Sequence, residues 1–403
     1  MDLGRRLSGP RVLAVNCGSS SLKLGFYEDD EPVARISIER IGSGARLELK
    51  RGTQSREEEI EAEDHGQAFE QAIRRMPEIG EAQELCVGHR VVHGGAGLRE
   101  TTRIDARVIG AIEAQLPLVP LHNGPALEAI HAASKAFGAR AGQFAVFDTH
   151  FHRNLPLHAA RYAIPRELEE RHGIVRVGFH GLAHRWMSER FAALSKAGNA
   201  ASVVTLQLGN GCSAAAVRAG RSIDVTMGYS PLEGLMMGTR SGDVDPALVL
   251  RLAELERVDA SVIATWLNTR AGLLGVSGHS QDMRELLEAE RDGDARSALA
   301  VEMFVQRVRK AVGAMLAALG GADGIVFGGG IGEHAAGIRA RVCAGFEWCG
   351  LVLDPRTNAA IGSREGRISA DGARIEAWVV PVDEEALIVR EVRGVLAGQR
   401  EQV

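Results

Sequence analysis

The chain is short of several features that would have assigned its class at once. Cysteine is scarce: five in 403 residues, an odd number with no CxxC pair. That excludes a secreted disulfide scaffold and fits free thiols in a reducing compartment. Positive charge is not in excess either, with 47 lysines and arginines against 52 acidic residues, a formal charge of −5. No general electrostatic footprint for nucleic acid or an anionic membrane is expected. The N-terminal MDLGRRLSGP lacks the apolar stretch of a secretory leader. The most apolar region, Ala311 to Gly332, is broken by Asp323 and carries eight glycines. It therefore lacks the ~18 consecutive apolar residues of a membrane span. A cytoplasmic protein is the expectation. There is no Pro- or Ser-rich linker, and no short repeat period, which argues against a solenoid.

What is present is an ordinary globular balance of 45% hydrophobic and 25% charged residues with only 4% aromatics. The length predicts two or three domains at about 100–200 residues each, enough to bury cores without staples. Glycine stands out, at 48 residues bunched at the ends of apolar runs. Glycine there lets a backbone turn tightly or approach a ligand closely.

Two stretches are alike. The first runs from Val12 through Asn16-Cys-Gly18-Ser-Ser-Ser21-Leu-Lys23 into a second strand, LKLGFYE, with PVARISIERI and ARLELKRG as further strands. The second runs from Ser202 through Gln207-Leu-Gly209-Asn210-Gly211 into SAAAVRAG and RSIDVTMG. Each reads strand, polar Gly-rich turn, strand, strand, which suggests duplication of a whole domain with a boundary near residue 150. Between them LCVGHRVVHGG is strand-like, PALEAIHAASKAFG is helical, and QFAVFDTHFH is a strand ending in polar residues. Later, Val301, Phe304, Val305, Val308, Val312, Met315, Leu316 and Leu319 recur at helical spacing. Gly320-Gly321 closes that helix, and Gly324 to Gly330 reads as a buried strand meeting a glycine loop. Strand–helix alternation of this kind implies α/β sheets with functional groups at strand ends.

Three glycine turns could carry chemistry. NCGSSSLK offers backbone N–H groups, hydroxyls and a lysine to an anion, although an ordinary hairpin turn would look the same. LGNGCS alone favours the plain hairpin reading, but it occupies the equivalent point of the second half. GGGIGEH lacks the last glycine of a dinucleotide fingerprint, since Glu333 stands there, and suits close approach to a base or ribose. Arg90 between glycines and Arg240 in a glycine-flanked loop each need an anionic partner. Asp148, His150 and His152 end a strand; the H-x-H pair would face one side, yet no third metal ligand is identifiable. His122 and His180 are read as site residues rather than core histidines. Two phosphate turns, a nucleotide-sized glycine loop, two arginines and a strand-end aspartate make a kit for phosphoryl transfer.

At this point the sequence resembles the acetate kinase family, the acetate/propionate/butyrate kinases, over about residues 11–395. The segments VNCGSSSLK, GHRVVHGG, FDTHFH, YAIP, RVGFHGLAHR, SIDVTMGYSPLEGLMMGTRSGDVDP, LLGVSGHSQDMR, GGIGEH and DEEALI match in order, and SPLEGLMMGTRSGD is very specific. The resemblance implies a duplicated actin/sugar-kinase/Hsp70-like (ribonuclease H-like) α/β fold with a nucleotide cleft between the halves. Its expected domains are residues 1–149 with 385–403, and residues 150–384. It further implies reversible phosphoryl transfer from ATP to a short-chain carboxylate such as acetate, with Mg²⁺ (Mn²⁺ an alternative), in a homodimer. By position, Asn16 and Glu384 belong to the metal environment, and Ser19, Ser21 and Lys23 attend the phosphates. Gln207, Leu208, Gly209, Asn210 and Gly211 would form the nucleotide site with Asp282, Met283, Arg284, Gly330, Ile331, Gly332, Glu333 and His334. Arg90 would hold the substrate carboxylate, and His180 and Arg240 the phosphoryl group, with Asp148 as the essential carboxylate. Val92, Leu121, His122, Phe179 and Pro231 would line the acid pocket.

The chain departs from the family pattern at Gln207 (a histidine in the family), at His122-Asn123-Gly124 (HNP), at GEHAA, and at Leu182 and Ala183 (threonine and serine). Competing expectations are a propionate- or butyrate-preferring kinase, a sugar kinase, and a non-catalytic actin-like nucleotide binder. A pure binder has no need of a carboxylate-side arginine, and a sugar hydroxyl needs a base and several polar pocket groups.

Overall fold

The computed structural model describes residues 9–80, 84–95, 97–98 and 100–400. The chain divides into two compact units, Met1–His150 with Asp383–Val403, and Phe151–Val382.

The first unit is built on a sheet of eight strands: β1 (Arg11–Cys17), β2 (Ser21–Glu28), β3 (Glu31–Glu39), β4 (Ala45–Arg51), β5 (Gln54–Ile60), β6 (Leu85–Val91), β7 (Thr102–Arg103) and β8 (Ala141–Phe147). Their spatial order is β5-β4-β3-β2-β1-β6-β8-β7. Strands β1 to β5 form an antiparallel meander, while β6 and β8 run parallel to β1. The central β1 is buried on both faces, which is why it reads as a continuous apolar run. One face packs Leu13, Val15, Leu24, Phe26 and Ile36 against Phe69 and Phe137. These last two lie on the helices His65–Arg74 and Pro120–Phe137. The other face carries the C-terminal helix Glu384–Arg400. Gly88 of β6 is glycine for a packing reason: a Cβ there would lie 2.6 Å from Ile388 and 2.7 Å from Val392 of that helix.

The second unit repeats the plan with β9 (Ser202–Leu208), β10 (Cys212–Arg218), β11 (Arg221–Val225), β12 (Gly324–Gly328), β13 (Gly366–Arg367) and β14 (Glu376–Val379). Their order is β11-β10-β9-β12-β14-β13. Strands β9 to β11 are antiparallel, β12 and β14 run parallel to β9, and the edge strand β13 is again antiparallel. The run β3-β2-β1-β6-β8-β7 of the first sheet thus has the same pairings as the whole second sheet, three antiparallel strands, two parallel, then a short antiparallel edge, as domain duplication demands, with β4 and β5 added at the edge of the first. The helix Ala295–Leu319 buries the eight apolar positions expected and stops at Gly320, which adopts the left-handed conformation (φ 65°).

Local structure departs from the sequence reading in four places. The strand in QFAVFDTHFH stops at Phe147, and Asp148–His152 is a 3₁₀ turn. The alternation that would put His150 and His152 on one strand face therefore does not apply. GGIGEH is itself a short helix, Gly329–His334, rather than an open loop. The helix expected from PALE begins at Pro120, so His122, Asn123 and Gly124 sit in its first turns. Strand β5, QSREEEI, is not legible as a strand because it lies at the sheet edge and its side chains are mostly solvent-facing and charged. A fifth difference concerns Glu384. The sequence places it in the second domain, whereas the helix it opens packs on β1, β2 and β6 and draws it into the first unit.

All five cysteines are buried free thiols. Among the described residues no helix is long and apolar enough to cross a membrane.

Candidate active site

Neighbouring parallel strands deliver their last residues to one end of a sheet, and the first unit uses this for a charged cluster that is only partly exposed. Asn16 comes from the end of β1, Arg90 from β6, and Asp148 directly follows β8. Arg90 donates to Asp148 Oδ2 at 2.7 Å and to Asn16 Oδ1 at 3.1 Å, and lies 3.3 Å from Glu384 Oε2. The amide of Asn16 donates to Glu384 at 2.7 Å and to Glu385 at 3.0 Å. Asp148 is 1% exposed. Burial works against the Arg90 charge, but Asp148 and Glu384 outweigh it and raise the guanidinium pKa. Burial also raises Glu384, with Arg90 pulling the other way. The Nε–H of Arg90 is buried and has no hydrogen-bond partner among the described residues. Sequence reasoning missed Glu385, which is hard to tell from its neighbour in an acidic pair at a helix start.

Lys23 is the ladder partner of Asn16, so the two side chains share a face of the sheet, with Lys23 exposed. Ser19 is exposed at the turn between β1 and β2, and Ser21 opens β2. The turn closes by Gly18 N–H donating to the Ser21 carbonyl at 2.8 Å. It is pinned by buried His65, whose Nε2 lies 2.9 Å from the Gly18 carbonyl, a contact between distant segments that no local signal announces.

The donor set of this cluster is one for a hard cation. Three carboxylates and an amide oxygen face a single guanidinium, leaving a deficit of positive charge. Among the described residues no three acidic, histidine or cysteine side chains are disposed to grip a metal directly. Mg²⁺ keeps several waters and is held by one or two carboxylates plus substrate phosphates, so the residues fit it in that indirect way.

Of the residues expected to line the acid pocket, Val92 is buried, and at the start of the helix Pro120–Phe137 His122 is half-buried and Leu121 exposed (44%). Leu121 is thus less of a wall than the sequence suggests. Asn123 has the structural role: its amide donates to the carbonyls of His93 (2.8 Å) and Ile112 (3.2 Å), and its oxygen accepts from His93 N–H at 3.3 Å. It clamps the GHRVVHGG loop to the helix.

In the second unit, His180 sits in the left-handed conformation (φ 56°) just before the helix Gly181–Leu194. A Cβ on Gly211 would lie 3.2 Å from the His180 ring and 3.9 Å from an Arg240 nitrogen, so both side chains converge on the LGNG turn. Arg240 donates to the Pro231 carbonyl at 3.0 Å, and burial lowers its pKa. The loop from Gly228 to Gly242 that carries both is irregular but braced. Arg176 pairs with Glu233 at 2.7 Å, and Gly234 N–H donates to Asp243 at 2.8 Å. Phe179 is fully buried, so it contributes packing behind His180.

A cavity of about 670 Å³ opens on the same unit. Gly209, Asn210, Asp282, Met283 and Arg284 line it, as do Gly330, Ile331 and His334. Gln281, Leu287 and Ala335 line it too, unanticipated because helix packing and loop closure bring them in. The size suits a drug-sized or nucleoside ligand. Other expected nucleotide residues stand behind this wall. Leu208 and Gly332 are buried, and Gln207 is half-buried on β9, its buried Oε1 without a partner among the described residues. The Glu333 carboxylate accepts from the backbone N–H groups of Gly329 (2.9 Å) and Val382 (3.2 Å), so it secures the short helix. Asp282 caps its helix through Arg284 N–H (2.8 Å) and pairs with the Arg284 side chain, which lowers its pKa.

The profile of the acetokinase family matches residues 11–390. The chain is 44% identical over 407 residues to the acetate kinase of Chloroherpeton thalassium, covering 94% of this chain and 97% of that one. It is 43% identical to the acetate kinase of Solibacter usitatus, covering 96% and 99%. Among solved structures, the acetate kinase of Porphyromonas gingivalis superposes with a TM-score of 0.84 at 37% identity, covering 96% of this chain and all of that one. The propionate kinase of Francisella tularensis superposes at 0.86 and 34% identity, covering 95% and 99%.

Proposed function

The chain belongs to the acetokinase family, and on that premise we propose that it transfers a phosphoryl group reversibly from ATP to acetate, giving acetyl phosphate and ADP. The observation that carries the reading is Arg90, a half-buried guanidinium at a strand end, beside Asn16, Asp148 and Glu384 and with its Nε–H unpaired among the described residues. A carboxylate substrate is the anion such a group receives.

Acetate is already ionised at pH 7, so it needs no general base to attack phosphorus. The obstacle is repulsion between a carboxylate and a polyanionic phosphate, which fixed positive charge offsets. Arg90 holds the carboxylate, and Lys23 with the hydroxyls of Ser19 and Ser21 attends the phosphates. His180 and Arg240 stabilise the phosphoryl group in flight. Asp148 organises Arg90, as its 2.7 Å bond supports, and takes no proton. Asn16 and Glu384 would hold Mg²⁺ through water, where the ion supplies charge neutralisation on the phosphates. The 670 Å³ cavity takes the nucleoside, with Met283, Leu287 and Ile331 against the base. Val92 bounds the alkyl pocket and is small, so propionate is a competing substrate. One methylene is worth only ~1–3 kcal/mol there.

The protein works as a cytoplasmic homodimer in this reading. The helix Pro246–Glu256 buries none of its own residues and exposes Leu248, Leu250 and Leu255, which supports a face covered by a second copy. Sedimentation of the protein and of Leu250→Glu tests it; a monomer in both would end it.

Acyl phosphate trapped as hydroxamate, from Mg-ATP with acetate, propionate or butyrate in parallel, tests the function. Acetate with the highest kcat/KM supports the reading. Propionate or butyrate ahead moves the substrate name. No product with any acid refutes it.

A further inference from the structure

His180 does not stand alone. Its Nδ1 lies 2.9 Å from the Ser213 hydroxyl, and the same hydroxyl lies 2.7 Å from Nε2 of His184. His184 is one turn further along the helix that His180 precedes. On its far side, Nδ1 of His184 lies 2.7 Å from the hydroxyl of Thr205, and Thr205 reaches the Ala215 carbonyl at 3.5 Å. Thr205, His184 and Ser213 are each fully buried. The chain crosses from β9 through a helix to β10 and ends at the ring that converges with Arg240 on Gly211.

Proton counting orders this chain. A hydroxyl has one hydrogen to donate, and a neutral imidazole has one N–H. Burial pushes the pKa of His184 well below its ordinary value, so it is neutral and has a single N–H. The Ala215 carbonyl can only accept, so Thr205 donates to it and receives the Nδ1–H of His184. Nε2 of His184 is then an acceptor and takes the hydrogen of Ser213. Ser213, having given its hydrogen away, accepts from Nδ1–H of His180.

We propose that Thr205, His184 and Ser213 are positioning residues that hold the His180 ring with its Nδ1 proton committed to Ser213, so that Nε2 is the nitrogen that meets the phosphoryl group. With Nδ1–H already placed, His180 can donate from Nε2 only as the imidazolium, which brings a full positive charge to the transferring group. This rests on the role given to His180 above. It adds why that ring is oriented as it is, and which protonation state acts. The reverse order, with Ser213 donating to His180, would make the ring a neutral Nε2–H donor and bar it from becoming cationic without rearrangement.

Two measurements test the order. Two-bond ¹⁵N–¹H correlation spectra of the full-length protein with ¹⁵N-labelled histidine, assigned with a His184→Gln variant, report which nitrogen of each ring holds the proton. His184 as a neutral ring protonated at Nδ1 is expected, and protonation at Nε2 overturns the proposal. In parallel, Thr205→Val removes the acceptor at nearly constant shape. It should lower kcat at least tenfold with KM for acetate and ATP within twofold of wild type, and Thr205→Ser should restore kcat to within twofold. A Thr205→Val enzyme with unchanged kcat, or a Thr205→Ser enzyme as slow as Thr205→Val, overturns it. Failure of the wild type to make any acyl phosphate would overturn the proposed function instead, and the spectra would still decide the order of the chain.

Discussion

Gly88 couples the fold to the site, and substituting alanine there has consequences that can be worked out. The new Cβ would sit 2.6 Å from Cγ2 of Ile388 and 2.7 Å from Cγ2 of Val392. Carbon atoms settle at about 3.5–4.0 Å, so the helix must retreat by roughly 1 Å. The two methyl groups cannot simply swing away, because β-branched side chains in helices hold one χ1. Overpacking of this kind costs about 1–3 kcal/mol. The helix opens with Glu384 and Glu385, which accept from Asn16 at 2.7 and 3.0 Å. A retreat of roughly 1 Å takes both beyond hydrogen-bonding reach, and misplacement on that scale costs about 10²-fold in rate. Ile388→Ala by itself leaves a cavity and should cost about 2–5 kcal/mol. In the double variant the new methyl occupies part of that cavity, so the combined loss should fall short of the sum by about 1–2 kcal/mol. Urea unfolding of the four proteins measures the coupling, and hydroxamate formation measures the rate. Strict additivity, or a Gly88→Ala enzyme with wild-type stability and kcat, would refute the reasoning.

Asp148→Asn should lower kcat by about 10²-fold or more, since an amide cannot meet Arg90 as a carboxylate does; an enzyme retaining most of its activity would exclude a catalytic role. Gly211→Ala places a Cβ 3.2 Å from the His180 ring, and kcat should fall about tenfold while KM for ATP changes little, as initial rates will report. His89 is buried, and burial lowers its pKa from 6.5 to about 4. The unfolded chain therefore binds the proton first, and stability present above pH 6.5 is lost as pH falls towards 4, by up to about 3 kcal/mol. His89→Met should flatten the dependence of the urea midpoint on pH between 7 and 5, and an unchanged slope would count against it. Gly124 faces open space within a helix, so Gly124→Ala should raise stability by about 0.5–1 kcal/mol in the same unfolding assay.

Much of the architecture is written locally. Apolar runs ending in glycine turns marked β1, β9 and β12, and a 3.6-residue period marked the helix Ala295–Leu319. The resemblance of the two halves in sequence is a resemblance of two sheets that share a six-strand order of pairings. Where local signals were weak or ambiguous the reading slipped. β5 is a charged edge strand, and the FDTHFH turn and the GGIGEH helix are too short to impose a period.

The sequence by itself determined the residue types at the strand ends, because arginine, aspartate and histidine among apolar residues and glycines have few structural uses. It also determined the family, because SPLEGLMMGTRSGD and its companions are specific. Only the tertiary structure decided which of these groups meet. Asn16, Arg90, Asp148 and Glu384 come from four separate segments, and the parallel β1, β6 and β8 with the helix over Gly88 bring them within hydrogen-bonding distance. It also set apart the polar residues that serve the backbone, Asn123 and Glu333, from those that face open space. The buried chain from Thr205 to His180 depends on strand register and one helical turn, and register is a property of long-range pairing that no local pattern contains.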